Sequence, residues 1–260
     1  MNIKKTVTLC LLVASTQLAA FAHQQSISNA SPKRCQAEQL IAHYEQTFGE
    51  HHEHANIATH NPNHNHNQAQ QQKSTVQQLT LLRKGNRVAH YNPEQKVANI
   101  WYLNRHKQQQ LTRVFERYQQ GIEYQADELK AQQQWHYVRT LVDHALLASM
   151  SHQKASGAGC QRLEHYTLAT ATHEFQLQWL PALALPQSLV VTDKQTHQTS
   201  RLQLVDIEYG DKVVEQFTVW DALPTTDYAD VGDNENNPFL AKMINQGFSG
   251  SPNAHAHHHH

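Results

Sequence analysis

The sequence predicts an α+β fold, one curved antiparallel β-sheet packed with two or three helices. Three observations lead there. Short apolar runs of period two fill residues 76–118 and again 162–220, parted by turn residues. Stretches of helical period, Arg34–Phe48 and Asp127–Met150, precede each run. A third helix start, Asn237-Pro238, follows the last strand.

Residues 23–33 are polar and read as flexible. In Arg34–Phe48, the residues Ala37, Ile41, Tyr44 and Phe48 share a helical face, and Gly49 ends the element. From Glu50 to Ser74 the chain turns rich in His, Asn and Gln, with Ile57 almost its only large apolar residue. Such a composition buries too little surface to offset its ordering entropy, so a disordered insertion is expected over 50–74. Val76–Leu82, Arg87–Tyr91 and Val97–Leu103 read as strands, separated by Lys84-Gly85-Asn86 and Asn92-Pro93. Leu111–Tyr118 is a further strand and Gly121 a turn. Asp127 caps the second helix, whose apolar face carries Val138, Leu141, Val142, Ala145 and Leu146.

Ser156–Gly159 then loops into Cys160. Arg162–Ala169 and Glu174–Leu180 read as paired strands, with Phe175, Leu177 and Trp179 alternating against Gln176 and Gln178. Ser188–Thr192, Leu202–Tyr209 and Val213–Trp220 continue the meander. Between Leu204 and Val205 the apolar parity shifts, which marks a bulge or a strand buried on both faces. In the last helix Asn237 is the N-cap and Pro238 the first helical residue. Phe239, Leu240, Met243 and Ile244 form its buried stripe, and Gly247 its stop. One domain is expected over 34–248, followed by a His-rich tail at 249–260.

The N-terminus reads as a secretory signal peptide. Lys4 and Lys5 precede an apolar run from Thr6 to Phe21, and Ala20-Phe21-Ala22 predicts cleavage before His23. No small-residue pattern precedes Cys10 as a lipoprotein signal requires, so a soluble periplasmic protein without a transmembrane anchor is expected. Cleavage removes two Lys and no acid, which takes the formal charge from -1 to -3 and retains all 21 His. That balance disfavours a nucleic-acid binder. Cleavage also leaves Cys35 and Cys160. In an oxidising compartment they pair most simply as a disulfide, the alternative being a soft metal site. The absence of a CxxC spacing favours the disulfide.

Two His tracts carry the main chemical signal. His51, His52, His54, His60, His64 and His66 lie in the insertion, and His255, His257, His258, His259 and His260 in the tail. Neutral imidazole ligates Zn, Cu and Ni, and His-x-His spacing lets neighbouring rings reach one ion from an extended backbone. The expectation is a non-catalytic protein that collects Zn first, Cu or Ni less readily, and hands the ion to a membrane transporter or other partner. The competing readings are an appended tail and a low-complexity loop.

A second candidate is Asp227, Asp230, Asp233 and Glu235, four carboxylates within nine residues. They fail the EF-hand pattern and also suit a solvated loop before a capped helix. Recognition of a protein partner through 227–248 is a further reading of this segment. The aromatic set Trp101, Phe115, Trp135, Phe175, Trp179 and Trp220 either forms core or lines a ligand groove. His90, His106, His136, His144, His165 and His173 are read singly as satisfied or exposed. The chain contains no G-x-S-x-G, no phosphate-cradling Gly loop, no G-x-G-x-x-G and no H-E-x-x-H, so no enzyme class is supported.

The stretch Trp179-Leu180-Pro181, Leu185-Pro186, Asp193 and Leu202-Gln203-Leu204-Val205-Asp206-Ile207 resembles the C-terminal half of periplasmic lipoprotein-carrier (LolA-like) proteins. Leu79-Thr80-Leu81-Leu82-Arg83-Lys84-Gly85-Asn86-Arg87-Val88 resembles their early strand pair, and the resemblance covers about residues 34–220. It implies an open half-barrel closed by helices, with an apolar groove for the acyl chains of a lipid or lipoprotein, or for a peptide. His197 departs from the pattern at the hairpin position where Gly is expected. The His-rich insertion and the acidic segment after Trp220 depart from it as well. A carrier or sensor of acyl chains is therefore the alternative to metal collection.

Overall fold

Leu40, Ala42 and Tyr44 are buried on one side of an extended segment, while Ile41 and His43 face the other. This is β1, Gln39–His51, the first strand of the computed structural model, which describes residues 35–51, 75–129, 134–232 and 237–245. The helix expected over Arg34–Phe48 is therefore a strand. β1 lies between two neighbours, and both of its faces are covered near its start. A strand buried on both faces loses its alternation, and here its apolar residues happen to fit a helical stripe.

A meander follows, made of β2 (Thr75–Lys84), β3 (Arg87–Asn92), β4 (Val97–Leu103), β5 (Gln109–Phe115) and β6 (Gln120–Tyr124). Gly121 is not a turn but part of β6, where it opposes Val114. The expected 127–150 helix is two short ones, α1 (Trp135–Thr140) and α2 (His144–Ser149). Leu141 breaks it by adopting a left-handed conformation at φ 60°, and Asp143 restarts it as an N-cap. Asp127 instead lies in a turn.

The second meander is β7 (Ser151–Ser156), β8 (Leu163–Ala169), β9 (His173–Leu180), β10 (Leu185–Asp193) and β11 (Gln198–Tyr209). β7 was not foreseen, because all six of its residues are exposed and it carries no apolar pattern. Val213–Trp220, expected as a strand, is helix α3, Asp211–Asp221. Its β-branched residues suggest a strand, but Val213, Phe217 and Trp220 make a single buried helical stripe, and packing decides the outcome. Short β12 (Thr225–Asp227) and α4 (Pro238–Asn245) complete the described elements, which thus hold four helices rather than two or three.

The twelve strands form one curved, unclosed sheet in the order β12-β6-β5-β4-β3-β2-β1-β11-β10-β9-β8-β7. All neighbours are antiparallel except β12 and β6. The sequence-level α+β, half-barrel-like class is what the structure shows. Val205 is the bulge: Leu204 opposes Tyr44 and Asp206 opposes His43, so Val205 is unmatched. His197, in the β10–β11 turn, has φ 58°, the left-handed conformation that Gly adopts most readily.

One sheet face carries the larger core. There α1 contributes Val138, and α4 contributes Phe239, Leu240 and Met243, all packed with Leu40, Tyr44, Leu81, Trp101 and Leu111. The other face is covered by α3, whose Val213, Phe217 and Trp220 pack on Ile41, Leu82, Ala89, Ile100 and Val114. The predicted disulfide joins Cys35 to Cys160 across 125 residues. Arg83 is 1% exposed and acts as a strap. Its guanidinium donates to the Leu183 carbonyl at 2.8 Å, the Ala184 carbonyl at 3.0 Å and the Ala37 carbonyl at 3.2 Å. Burial pulls its pKa down to about 10.

Two stability predictions follow from these ties. Replacing both cysteines by Ser lowers the unfolding free energy by roughly 2–5 kcal/mol, read from urea denaturation, because a long loop is released. Arg83→Ala lowers it by about 3 kcal/mol or more, since buried carbonyls lose their donor. An unchanged midpoint in either variant contradicts the corresponding role.

Candidate functional site

Helices of six residues are too short to cover a wide sheet, and a groove remains beside α1 and α2. It is a cavity of ≈ 260 Å³ on the face that carries the larger core. The helix side supplies Tyr137, Leu141, Val142, Asp143 and Leu146. The strand side supplies Gln46 and Phe48 from β1, Leu189 and Val191 from β10, and Ser200, Arg201 and Leu202 from β11. Most of this lining is hydrocarbon. Phe48 and Tyr137 are each 43% exposed, so large apolar surface meets solvent at the groove. The Asp143 carboxylate is already engaged, accepting from the Ala145 and Leu146 backbone N–H groups at 2.7 and 3.1 Å.

The α1–α2 wall is tied down by polar contacts. Thr140 is buried, with its hydroxyl 2.8 Å from the His136 carbonyl and 2.9 Å from the Val142 carbonyl. His136 also places Nδ1 3.1 Å from that Val142 carbonyl. Arg139 donates to Glu38 at 2.8 Å and to the Gly85 carbonyl at 2.6 Å. His90 Nε2 donates to the Val138 carbonyl at 2.8 Å, while its ring meets Trp101 edge-on at 4.7 Å. That bond fixes α1 to β3.

On the same face lies a second cavity of ≈ 580 Å³, near the disulfide and the Val205 bulge. Leu163, Leu180, Leu183, Leu204, Ile207 and Tyr209 supply most of its apolar wall.

Among the described residues, none of the sequence-level site residues lines the groove. Of the metal candidates, only His51 falls among the described residues, at the end of β1 opposite Gln198. His52, His54, His60, His64, His66, His255, His257, His258, His259 and His260 lie outside them, as does most of the expected 50–74 insertion. Among the described residues no group of three or more His, Cys, Asp or Glu converges as a metal site. Asp227 accepts from the Ala229 N–H at 3.0 Å and so caps the turn Tyr228–Asp230, while Asp233 and Glu235 lie outside the described residues. Trp101, Phe115, Trp179 and Trp220 are core, and Trp135 and Phe175 pack against it. None of these six aromatic residues lines the groove. Among the described residues no helix is long and apolar enough to cross a membrane.

Burial removes hydration from the His90 ring and pulls its pKa from 6.5 down to about 4. The folded state therefore resists a proton that the unfolded chain accepts. Stability is full above pH 6.5 and declines as the pH falls towards 4, by up to about 1.4 kcal/mol per pH unit. His90→Gln keeps an N–H donor and removes the titration. Urea unfolding of both proteins at pH 7 and pH 5 should show a larger loss in the parent; equal losses contradict the assignment.

No family model matches the chain, and no curated protein matches it in sequence. Among solved structures, it is similar to a putative outer membrane lipoprotein-sorting protein domain from Vibrio parahaemolyticus. That match has 8% identity and a TM-score of 0.30, and covers 71% of this chain and 92% of the other. The structure of PNGF-II matches at 8% identity and a TM-score of 0.35, over 73% of this chain but 31% of that one. A chain of the Pseudomonas aeruginosa MucA/MucB complex matches at 10% identity and a TM-score of 0.28, over 68% and 56% respectively. No residue role is taken from any of them.

Proposed function

We propose that the protein is a non-catalytic carrier or sensor that holds an acyl chain of a lipid or lipoprotein. The observation that carries this reading is the apolar groove between α1–α2 and strands β1, β10 and β11, with Phe48 and Tyr137 exposed at it. Burial of hydrocarbon contributes about 25 cal/mol per Å², so apolar surface left open beside a cavity favours an apolar occupant. The groove is slightly smaller than the roughly 300–1,000 Å³ usual for small-molecule clefts, which suits part of one chain. The signal peptide read from residues 1–22 suits this role, since acyl chains need shielding from water in an aqueous periplasm. For the metal reading, the described residues supply no ligand cluster that supports it.

The test is titration of the mature protein with a pyrene-labelled diacyl lipid, followed by fluorescence. Phe48→Asp and Tyr137→Asp, both at exposed positions, should each weaken binding about tenfold or more, because a carboxylate then enters the apolar lining. Val76→Asp is the control: Val76 is 52% exposed and does not line the groove, so affinity should hold. Replacing residues 52–74 by a short Gly/Ser link should leave lipid affinity unchanged as well. Equal affinity in all three Asp variants, or no lipid binding by the parent, ends the carrier reading.

A further inference from the structure

A further cavity lies on the other face of the sheet, outside the groove and independent of it. It measures ≈ 660 Å³, within the usual range for small-molecule clefts. Ile41, Leu82, Tyr91 and Pro93 give it an apolar floor. One flank of α3 forms the wall: Lys212, Glu215, Gln216 and Val219 recur at i, i+3, i+4 and i+7, the spacing of a helical face. This flank lies beside the buried stripe of α3. Val219 on it is 58% exposed.

The charges of the lining are unequal in their partners. Glu208 accepts from Lys212 and, at 3.0 Å, from His43 Nε2. His43 Nδ1 in turn stands 3.3 Å from the Thr80 hydroxyl, so the ring is held from both ends. Lys212 pairs directly with Glu208 and lies within electrostatic reach of Glu215 as well. Glu215 has no ion-pair partner among the described residues. Glu208 and Glu215 thus share one lysine of the lining, and this excess of negative charge beside an apolar floor is complementary to a protonated amine that carries an apolar body. Tyr91 stays in place to serve that floor, because its hydroxyl donates to Glu116 at 2.7 Å and its ring packs on Trp220 at 5.6 Å.

We propose that this cleft between α3 and strands β1–β3 binds a small organic amine. The ammonium sits at Glu215 and the apolar body lies over Ile41, Leu82 and Tyr91. An anion is disfavoured there, since the uncompensated charge is negative. A neutral analogue retains the apolar contacts alone.

The experiment uses the mature protein, with methyl NMR of Ile41, Leu82 and Val219. The probes are 2-phenylethylamine, 2-phenylethanol and 3-phenylpropionate, each added to about 10 mM. The amine should shift these three methyl groups in a saturable way. The alcohol should bind about threefold to fivefold more weakly and the acid more weakly still, the size expected of one solvent-accessible ion pair. Glu215→Gln should reduce amine affinity to that of the alcohol. Val219→Trp fills the cleft from an exposed helix position and should abolish the shifts while the remaining spectrum stays folded. The proposal is overturned if the amine and the alcohol bind alike, if Glu215→Gln changes nothing, or if these methyl groups do not respond. Loss of lipid binding in the groove has no bearing on these outcomes, and the two sites fail separately.

Discussion

The β1–β11 ladder joins two meanders that are otherwise separate in the sheet. Residues 75–124 form one half and residues 151–209 the other, and β1 stands between β2 and β11. Its partners are far apart in the chain, Tyr44 opposite Leu204 and Leu40 opposite Tyr209. Closing so long a loop costs entropy before any contact returns it, so the seam needs reinforcement. The structure places it there. The disulfide ties the segment before β1 to the turn after β7. Arg83 on β2 reaches carbonyls at 183 and 184, between β9 and β10. The buried Tyr44 hydroxyl donates to the Pro186 carbonyl at 3.1 Å. All three ties run from the first half, or its leading segment, into the second.

That seam also decides where the cavities lie. The bulge at Val205 lets β11 keep Leu202 and Leu204 in the larger core and still bring Ile207 against the same core beyond it. Without an extra residue, one of the two groups would turn to the opposite face. The groove and the ≈ 580 Å³ cavity lie on either side of this stretch, one touching Leu202 and the other Leu204. On the opposite face Glu208, past the bulge, reaches His43 and Lys212. The same register therefore positions an apolar lining on one face and a charged wall on the other.

How far the sequence discloses this depends on what each strand faces. β4 was legible to its ends, because Ala98 and Ile100 alternate with Asn99 between clear turn residues. β9 was legible through Phe175, Leu177 and Trp179, and the bulge through the parity shift at Val205. β1 was not, since burial on both faces erases the alternation on which the reading depends. α3 failed for the opposite reason: its Val-rich composition favours a strand, and only packing of Val213, Phe217 and Trp220 on the sheet selects the helix. The groove was not legible residue by residue. Phe48, Tyr137, Leu146, Leu189 and Leu202 come from separate elements, and nothing local marks any of them as lining rather than core. The one local trace was Asp143, a capping residue in the middle of an apparently continuous helix, which marks the break that leaves the wall short.

The site of the His-rich insertion bears on how its role can be separated from that of the fold. Phe48 and Thr75 are already a paired position of the β1–β2 ladder. The undescribed residues 52–74 thus connect two strands whose register is set by the residues before and after them. Shortening such a connection changes closure entropy only slowly with length, so its removal leaves β1 and β2 paired. Phe48 also lines the groove, so this position of the β1–β2 ladder lies beside it. Replacing residues 52–74 therefore tests their contribution separately from that of the groove, whose lining comes from the paired strands and from α1 and α2.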